Sequence, residues 1–130
     1  MDDLVQWLRA QLDEDERIAR AACEGAEGRW HPLGNQHGGS VAGDHDGYHV
    51  ACDEGYPTVE QATHIAEHDP ARVLREIDAK RQIIEQHERY AAERRRMMAG
   101  WDPQSDDSPI LAALASVYAD RPGYRAEWKP

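Results

Sequence analysis

The chain has 130 residues, of which 40% are apolar and 31% are charged, and it contains no Phe. This length and apolar content are sufficient for one hydrophobic core and argue against wholesale disorder. The formal net charge of -10, from 15 Lys and Arg against 25 Asp and Glu, repels a polyanion and argues against duplex nucleic acid as a partner.

The chain begins Met-Asp-Asp, which is acidic where a signal peptide is cationic, and no apolar segment follows. Its longest apolar run, Ile110–Ala119, has about half the length that a membrane-spanning helix needs. We therefore expect a cytoplasmic protein with no membrane partner. In a reducing compartment, Cys23 and Cys52 are expected to be free thiols rather than a disulfide.

The first half of the chain predicts one helix followed by a small sheet. Residues 2–24 predict an amphipathic helix, because apolar side chains recur at three- and four-residue spacing, at Leu4, Leu8, Leu12, Ile18, Ala19 and Ala22. Glycines and turn residues then divide 29–53 into short runs, which predict an antiparallel β meander with strands over 29–33, 40–42 and 47–52. A sheet of this size must pack against helices.

Three further helices are predicted over 58–68, 70–99 and 109–119. Thr58 and Gln61 have the spacing of a capping box, and both Asp69-Pro70 and Ser108-Pro109 place a capping side chain before a proline. The buried stripe of the long helix is expected at Val73, Leu74, Ile77, Ile84, Ala91 and Met98. The predicted fold class is α+β: an N-terminal helix, a small antiparallel β meander, then short, long and C-terminal helices, in a single domain over 1–130.

Seven histidines are the most conspicuous chemical feature of the sequence. His64 and His68 are four residues apart on one face of a predicted helix, a spacing at which two imidazoles can bind one zinc ion. With Glu67 they match the H-x-x-E-H pattern of inverted zinc peptidases. A second group, His45, His49 and Cys52, could share a metal with that pair. The alternative is that the loop histidines are exposed and that His64 or His68 caps the short helix.

Four arginines at the end of the long helix, Arg89, Arg94, Arg95 and Arg96, are the candidate anion site. They either complement the helix dipole or bind a small phosphorylated ligand. The sequence has no glycine-rich phosphate loop, and no nucleophile motif surrounds Cys23. No catalytic residue and no cofactor-binding motif is therefore predicted, and zinc is the one candidate cofactor.

Three segments carry a resemblance to a known family: Asp3 to Glu16, His64 to Arg81 with its His-Asp-Pro-Ala-Arg-Val-Leu core, and Tyr118 to Trp128. They resemble a family of small actinobacterial proteins of unknown function, over nearly the whole chain. In that family the position of Glu67 is commonly Arg, which argues against a zinc peptidase. A looser resemblance, to small phage early proteins of the Ead-like kind, implies a mobile-element origin. Neither resemblance implies a catalytic residue.

These features predict a non-enzymatic binding or interaction module of phage or mobile-element origin. Its candidate core or interface anchors are Trp7, Tyr90, Trp101 and Trp128, and a homodimer through the long helix, or another protein partner, is expected. Two alternatives stay open. One is a small zinc-binding protein that uses His64 and His68, and the other is a nucleotide-sequestering protein that uses the helix face from Arg89 to Arg96.

Overall fold

A computed structural model describes residues 2–23, 26–35, 38–44, 49–51, 57–98 and 108–130. Its elements are α1 (Asp2–Cys23), β1 (His31–Asn35), β2 (Gly38–Ala42), β3 (His49–Ala51), α2 (Val59–Glu67), α3 (Pro70–Met97), α4 (Pro109–Ser116) and a 3₁₀ turn (Ala126–Trp128). The predicted α+β fold and the predicted order of its elements are confirmed. Strand β1 begins two residues later than the sequence predicted, and strand β2 begins two residues earlier.

The chain divides into two compact units, one of residues 1–14 and 77–130 and the other of residues 15–76. The boundaries between the units fall within helices, after residue 14 in α1 and after residue 76 in α3, so each of these helices contributes to both units. The apolar spacing of α1 is interrupted near Asp15, at the residue where the chain passes from the first unit to the second. The single domain over 1–130 stays a prediction.

In the first unit, the largest fully buried side chains come from three helices. They are Leu8 and Leu12 of α1, Ile77 and Ile84 of α3, and Leu111 of α4. The C-terminal segment adds an aromatic cluster around Trp7, whose ring centroid lies 5.3 Å from Trp128 and 5.7 Å from Tyr124. The Trp7 indole N–H donates to the carbonyl of Pro122 at 3.0 Å. Trp7, near the start of the chain, thus contacts the segment near its end.

In the second unit, α2 packs on a three-stranded antiparallel sheet of order β1-β2-β3. Val41, Ala62 and Ala66 form its buried core, against which Trp30 also packs. The helix lies directly on the backbone of β2: a Cβ at Gly39 would stand 2.7 Å from the Thr58 carbonyl oxygen and 2.8 Å from the Ala62 Cβ. Glycine is required there because any side chain would separate helix from strand.

Asp69 joins the start of α3 to the segment that precedes β1. One carboxylate oxygen accepts from the backbone N–H of Arg72 at 2.8 Å, and the other accepts from the backbone N–H of Trp30 at 3.0 Å. Next to it, the Gly28 carbonyl accepts from the N–H of Ala71 at 3.0 Å. Asp69 is therefore the predicted N-cap of α3, and it also holds Trp30 in place over the core of the second unit.

The other predicted helix starts are confirmed. Thr58 and Gln61 make both hydrogen bonds of a capping box, and Ser108 caps α4 through the N–H of Leu111 at 3.2 Å. Of the stripe predicted to be buried in α3, Ile77, Ile84 and Ala91 are buried, Val73 and Leu74 are half-buried, and the prediction for Met98 is wrong, since it is 39% exposed. Ile18, which has helical spacing in α1, is 48% exposed. Met98 has the same helical side as the buried Ala91 but follows the last residue of α3, where the buried stripe has ended. Over the described residues, no helix combines the length and the apolar character needed to cross a membrane.

Candidate functional site

A shallow apolar cleft of about 570 Å³ lies in the first unit, on α3 beside the start of α4. The described residues that line it are Ala79, Gln82, Ile83, Gln86, His87, Tyr90 and Ile110. Three of these are large side chains that remain unusually exposed: Ile83 at 42%, Tyr90 at 60% and Ile110 at 54%. None of the seven carries a carboxylate, an ammonium or a guanidinium group. The cleft therefore presents an uncharged, largely apolar surface to solvent.

The cleft exists because α3 has two apolar faces. Ile77, Ile84 and Ala91 recur at seven-residue spacing and are buried in the core. Ala79, Ile83, Gln86 and Tyr90 recur at spacings of four, three and four, on a stripe rotated by about 130° from the buried one. A solvent-facing stripe of a globular helix is normally charged, and this one is not.

Sequence reasoning had identified Tyr90 as a candidate anchor but had missed Ile83, Ile110 and the cleft. The sequence feature that could have revealed the cleft is this second stripe of side chains on α3. Of the other predicted anchors, Trp7 and Trp128 belong to the aromatic cluster of the first unit, and Trp101 lies outside the described residues. The structure thus separates the anchors into a packed pair and one exposed tyrosine.

His64 and His68 lie together at the C-terminal end of α2, as their spacing predicted. Their ring centroids are 4.3 Å apart with an angle of 37° between the planes. His68 is the C-cap residue of α2, and its Nδ1 lies 2.8 Å from the backbone carbonyl oxygen of His64. A neutral His68 that makes this bond donates from Nδ1 and keeps a lone pair on Nε2. The capping role is thus confirmed, and it fixes the orientation of the ring.

The second predicted histidine group cannot be placed. His45 and Cys52 lie outside the described residues, as does the side chain of His49. Within the described parts of the chain, no three His, Cys, Asp or Glu side chains are grouped closely enough to hold a metal ion. Cys23 is a free thiol and donates to the carbonyl of Ala19 at 3.3 Å.

The four arginines are spread around the end of α3 rather than gathered on one face. At about 100° per residue, Arg89 and Arg96 lie about 20° apart, whereas Arg94 and Arg95 point about 140° and about 120° away from Arg89 in opposite senses. Arg89 pairs with Glu85 at 3.7 Å, and the guanidinium of Arg94 lies 6.0 Å from the ring centroid of Tyr90. An anion could contact two of these side chains at once, but the helix does not bring all four together.

The model of one protein family matches the whole chain, residues 1–130. The chain belongs to DUF6221, a family of unknown function. The resemblance to a family of unknown function along nearly the whole chain is thereby confirmed, while the actinobacterial origin and the phage-like similarity stay predictions. No curated protein and no solved structure matches the chain. For this DUF6221 member, the candidate function therefore rests on the geometry described above.

Proposed function

We propose that this chain is a non-enzymatic interaction module that forms a homodimer through the α3–α4 cleft. The observation that carries the proposal is the exposure of Ile83, Tyr90 and Ile110 on one uncharged surface. Contiguous exposed apolar patches on soluble domains commonly mark protein-binding surfaces. Tyrosine is also enriched among the residues that dominate binding energy at such surfaces.

The uncharged wall favours an apolar protein surface over an ionic ligand. Its polar groups are the Gln82 and Gln86 amides, the His87 imidazole and the Tyr90 hydroxyl, which form hydrogen bonds but offer no fixed charge. The guanidinium of Arg94 lies 6.0 Å from the Tyr90 ring centroid but does not line the cleft, and the net charge of -10 repels a polyanion. A neutral protein surface of matching shape is therefore the expected occupant.

A second copy of the chain supplies such a surface, because the four-three-four spacing of the stripe on α3 is the same when it is read in the opposite direction. When two α3 helices pack antiparallel about a two-fold axis between residues 84 and 85, Ala79 lies opposite Tyr90 and Ile83 lies opposite Gln86. The small Ala79 leaves room for the large Tyr90, and this pairing occurs twice by symmetry. The four-three-four spacing is also the one at which antiparallel helices pack side chains into each other's gaps.

The size of the face predicts a weak dimer. From Ala79 to Tyr90 the stripe is about 17 Å long, which is shorter than the contact of most stable dimers. We therefore expect an equilibrium between monomer and dimer that depends on protein concentration. Tyr90 and Ile83 should account for most of the binding free energy.

Sedimentation velocity over a wide range of protein concentration tests the proposal. Wild-type protein should shift from monomer to dimer, Ile83→Glu should remain monomeric, and Val117→Glu should behave as wild type. Val117 is the matched control, since it is apolar and 66% exposed but does not line the cleft. A wild-type protein that stays monomeric throughout, or a Val117→Glu variant that loses the dimer equally, contradicts the proposal.

Cysteine cross-linking tests the antiparallel orientation. Ala79→Cys chains mixed with Tyr90→Cys chains should cross-link more efficiently than either variant alone, because Ala79 of one copy faces Tyr90 of the other. The native cysteines are the same in every mixture and give a common background. More efficient cross-linking within either single variant would rule out this packing.

The other functions that the sequence predicts stay predictions. The nucleotide-sequestering alternative needs Arg89, Arg94, Arg95 and Arg96 to act together, and α3 spreads them around its axis. The phage or mobile-element origin and the cytoplasmic location stay predictions, to be tested by genomic context and by cell fractionation. The zinc alternative uses His64 and His68, which belong to the other unit, and it is compatible with a homodimer through the cleft.

A further inference from the structure

We infer that His64 and His68 form an exchangeable chelating site for a late first-row divalent transition metal such as zinc, nickel or copper. This inference goes beyond the proposed homodimer and does not depend on it. The two imidazoles are successive side chains on one face of α2, with ring centroids 4.3 Å apart. Imidazole nitrogen is a preferred donor for these metals, whereas calcium and magnesium prefer oxygen.

A hydrogen bond fixes the direction of the His68 ring. Its Nδ1 lies 2.8 Å from the His64 carbonyl oxygen, so the neutral ring donates from Nδ1 and presents the Nε2 lone pair to solvent. Metal-bound histidines commonly have their other ring nitrogen held by a carbonyl or carboxylate in this way, which fixes the tautomer and the ring direction. The His68 ring is therefore already held in one direction in the free protein, so metal binding does not have to restrict its rotation.

The surroundings of the pair also favour a cation. Both histidines lie at the C-terminal end of α2, where the helix dipole is negative. Glu60 lies one turn before His64 on the same face. Glu67 directly precedes His68 but is paired with Arg72, whose guanidinium lies 3.9 Å from its carboxylate and donates to its carbonyl oxygen at 3.1 Å, so the helix dipole and Glu60 are the groups that attract a cation. Both histidines are exposed, so a bound ion has access to solvent and room for water ligands.

Two protein ligands make a weak, exchangeable site rather than a structural one. Structural zinc sites are closed by four protein ligands and contribute directly to folding. Here the described residues provide a pair, with no third His, Cys, Asp or Glu side chain grouped around it. The remaining coordination positions are filled by water or by a small ligand, and the affinity is expected in the micromolar range or weaker.

Calorimetric titration of untagged protein with zinc chloride and with nickel chloride tests the inference. Wild-type protein should show one saturable site per chain, and His64→Ala and His68→Ala should each remove it. His31→Ala is the matched control, because His31 is an exposed histidine on β1 and lies outside both α2 and the α3–α4 cleft, and it should bind as wild type. Far-UV circular dichroism verifies that each variant keeps its helices.

Proton NMR of the imidazole rings gives a second readout. Zinc should shift or broaden the ring signals of His64 and His68 first, and magnesium at the same concentration should leave them unchanged. The inference is overturned by the absence of saturable binding, by binding that survives the double variant His64→Ala/His68→Ala, or by loss of binding in His31→Ala. Sedimentation behaviour is a separate measurement, so failure of this site and failure of the homodimer are distinguishable.

Discussion

Replacing Asp69 by Ala removes two backbone hydrogen bonds from different segments with one substitution. The carboxylate caps α3 through the N–H of Arg72 at 2.8 Å and holds the N–H of Trp30 at 3.0 Å. Sequence reasoning alone recognises only the cap and predicts a cost of about 1 kcal/mol. The structure adds the second bond, which joins residues 39 positions apart.

The expected change in the free energy of unfolding is the sum of the contributions of the two hydrogen bonds. Loss of an N-cap costs about 1 kcal/mol, and loss of a hydrogen bond to a charged acceptor costs about 1.5 kcal/mol or more, since the half-buried Trp30 N–H loses its partner. We expect Asp69→Ala to lower the free energy of unfolding by about 2–3 kcal/mol. For a chain of 130 residues that corresponds to a fall in Tm of about 6–15 °C.

Two conservative variants separate the contributions. Asp69→Ser keeps a good N-cap but is too short to reach Trp30 as well, and Asp69→Asn keeps one acceptor oxygen in place of two. Each should cost about half as much as Asp69→Ala. Asp78→Ala, which truncates an exposed carboxylate of the same helix, is the control and should change stability by less than about 0.5 kcal/mol.

Urea denaturation followed by far-UV circular dichroism measures all four variants. The reasoning is refuted if Asp69→Ala costs no more than Asp69→Ser, because the bond to Trp30 would then contribute nothing. A cost for Asp78→Ala as large as that for Asp69→Ala would refute it too, since the effect would then belong to helix charge in general.

Three further predictions concern the backbone, metal and anions. Gly28→Ala should cost more than about 2 kcal/mol in urea denaturation, because Gly28 has φ of +77° and a Cβ would stand 2.6 Å from the Cys23 sulfur, whereas Gly34→Ala meets no atom within 4 Å and should be nearly neutral. Protein purified from cells should carry well under one zinc per chain by elemental analysis, and a chelator should leave its Tm unchanged. Binding to duplex DNA should be undetectable at physiological salt. Any response in calorimetry against a panel of nucleotides should disappear when Arg94, Arg95 and Arg96 are changed to Glu.

Local signals in the sequence were sufficient for the helix starts. A cap acts within four residues, so Thr58 with Gln61, Asp69 with Pro70 and Ser108 with Pro109 could each be recognised without knowing the fold. The structure confirms all three. The same holds for the pairing of His64 with His68, because one helical turn brings them together regardless of tertiary context.

Burial could not be predicted as well, because periodicity identifies an apolar face but not the element that covers it. Ile18 and Met98 have helical spacing from buried residues and are exposed. Conversely, Tyr90 was predicted as an anchor, but Ile83 was not, and the stripe that joins them was not recognised beside the buried stripe of Ile77 and Ile84. Which stripe becomes core depends on contacts with α1 and α4 in the first unit, which are distant in the sequence. The cleft therefore could not be predicted without knowing the positions of those helices.

The segments that carry the family resemblance are accounted for largely by structural roles. Asp69 and Pro70 begin α3 and fix the segment around Trp30, and the stretch from Tyr118 to Trp128 wraps its rings around Trp7. Residues that are needed to build the fold do not by themselves indicate what the fold binds. The middle of α3, from Gln82 to Tyr90, carries exposed apolar side chains, Ile83 and Tyr90, that do not pack in the core. Binding specificity is therefore expected to reside in this part of α3, which makes Ile83 and Tyr90 the positions at which substitution should change association without changing stability.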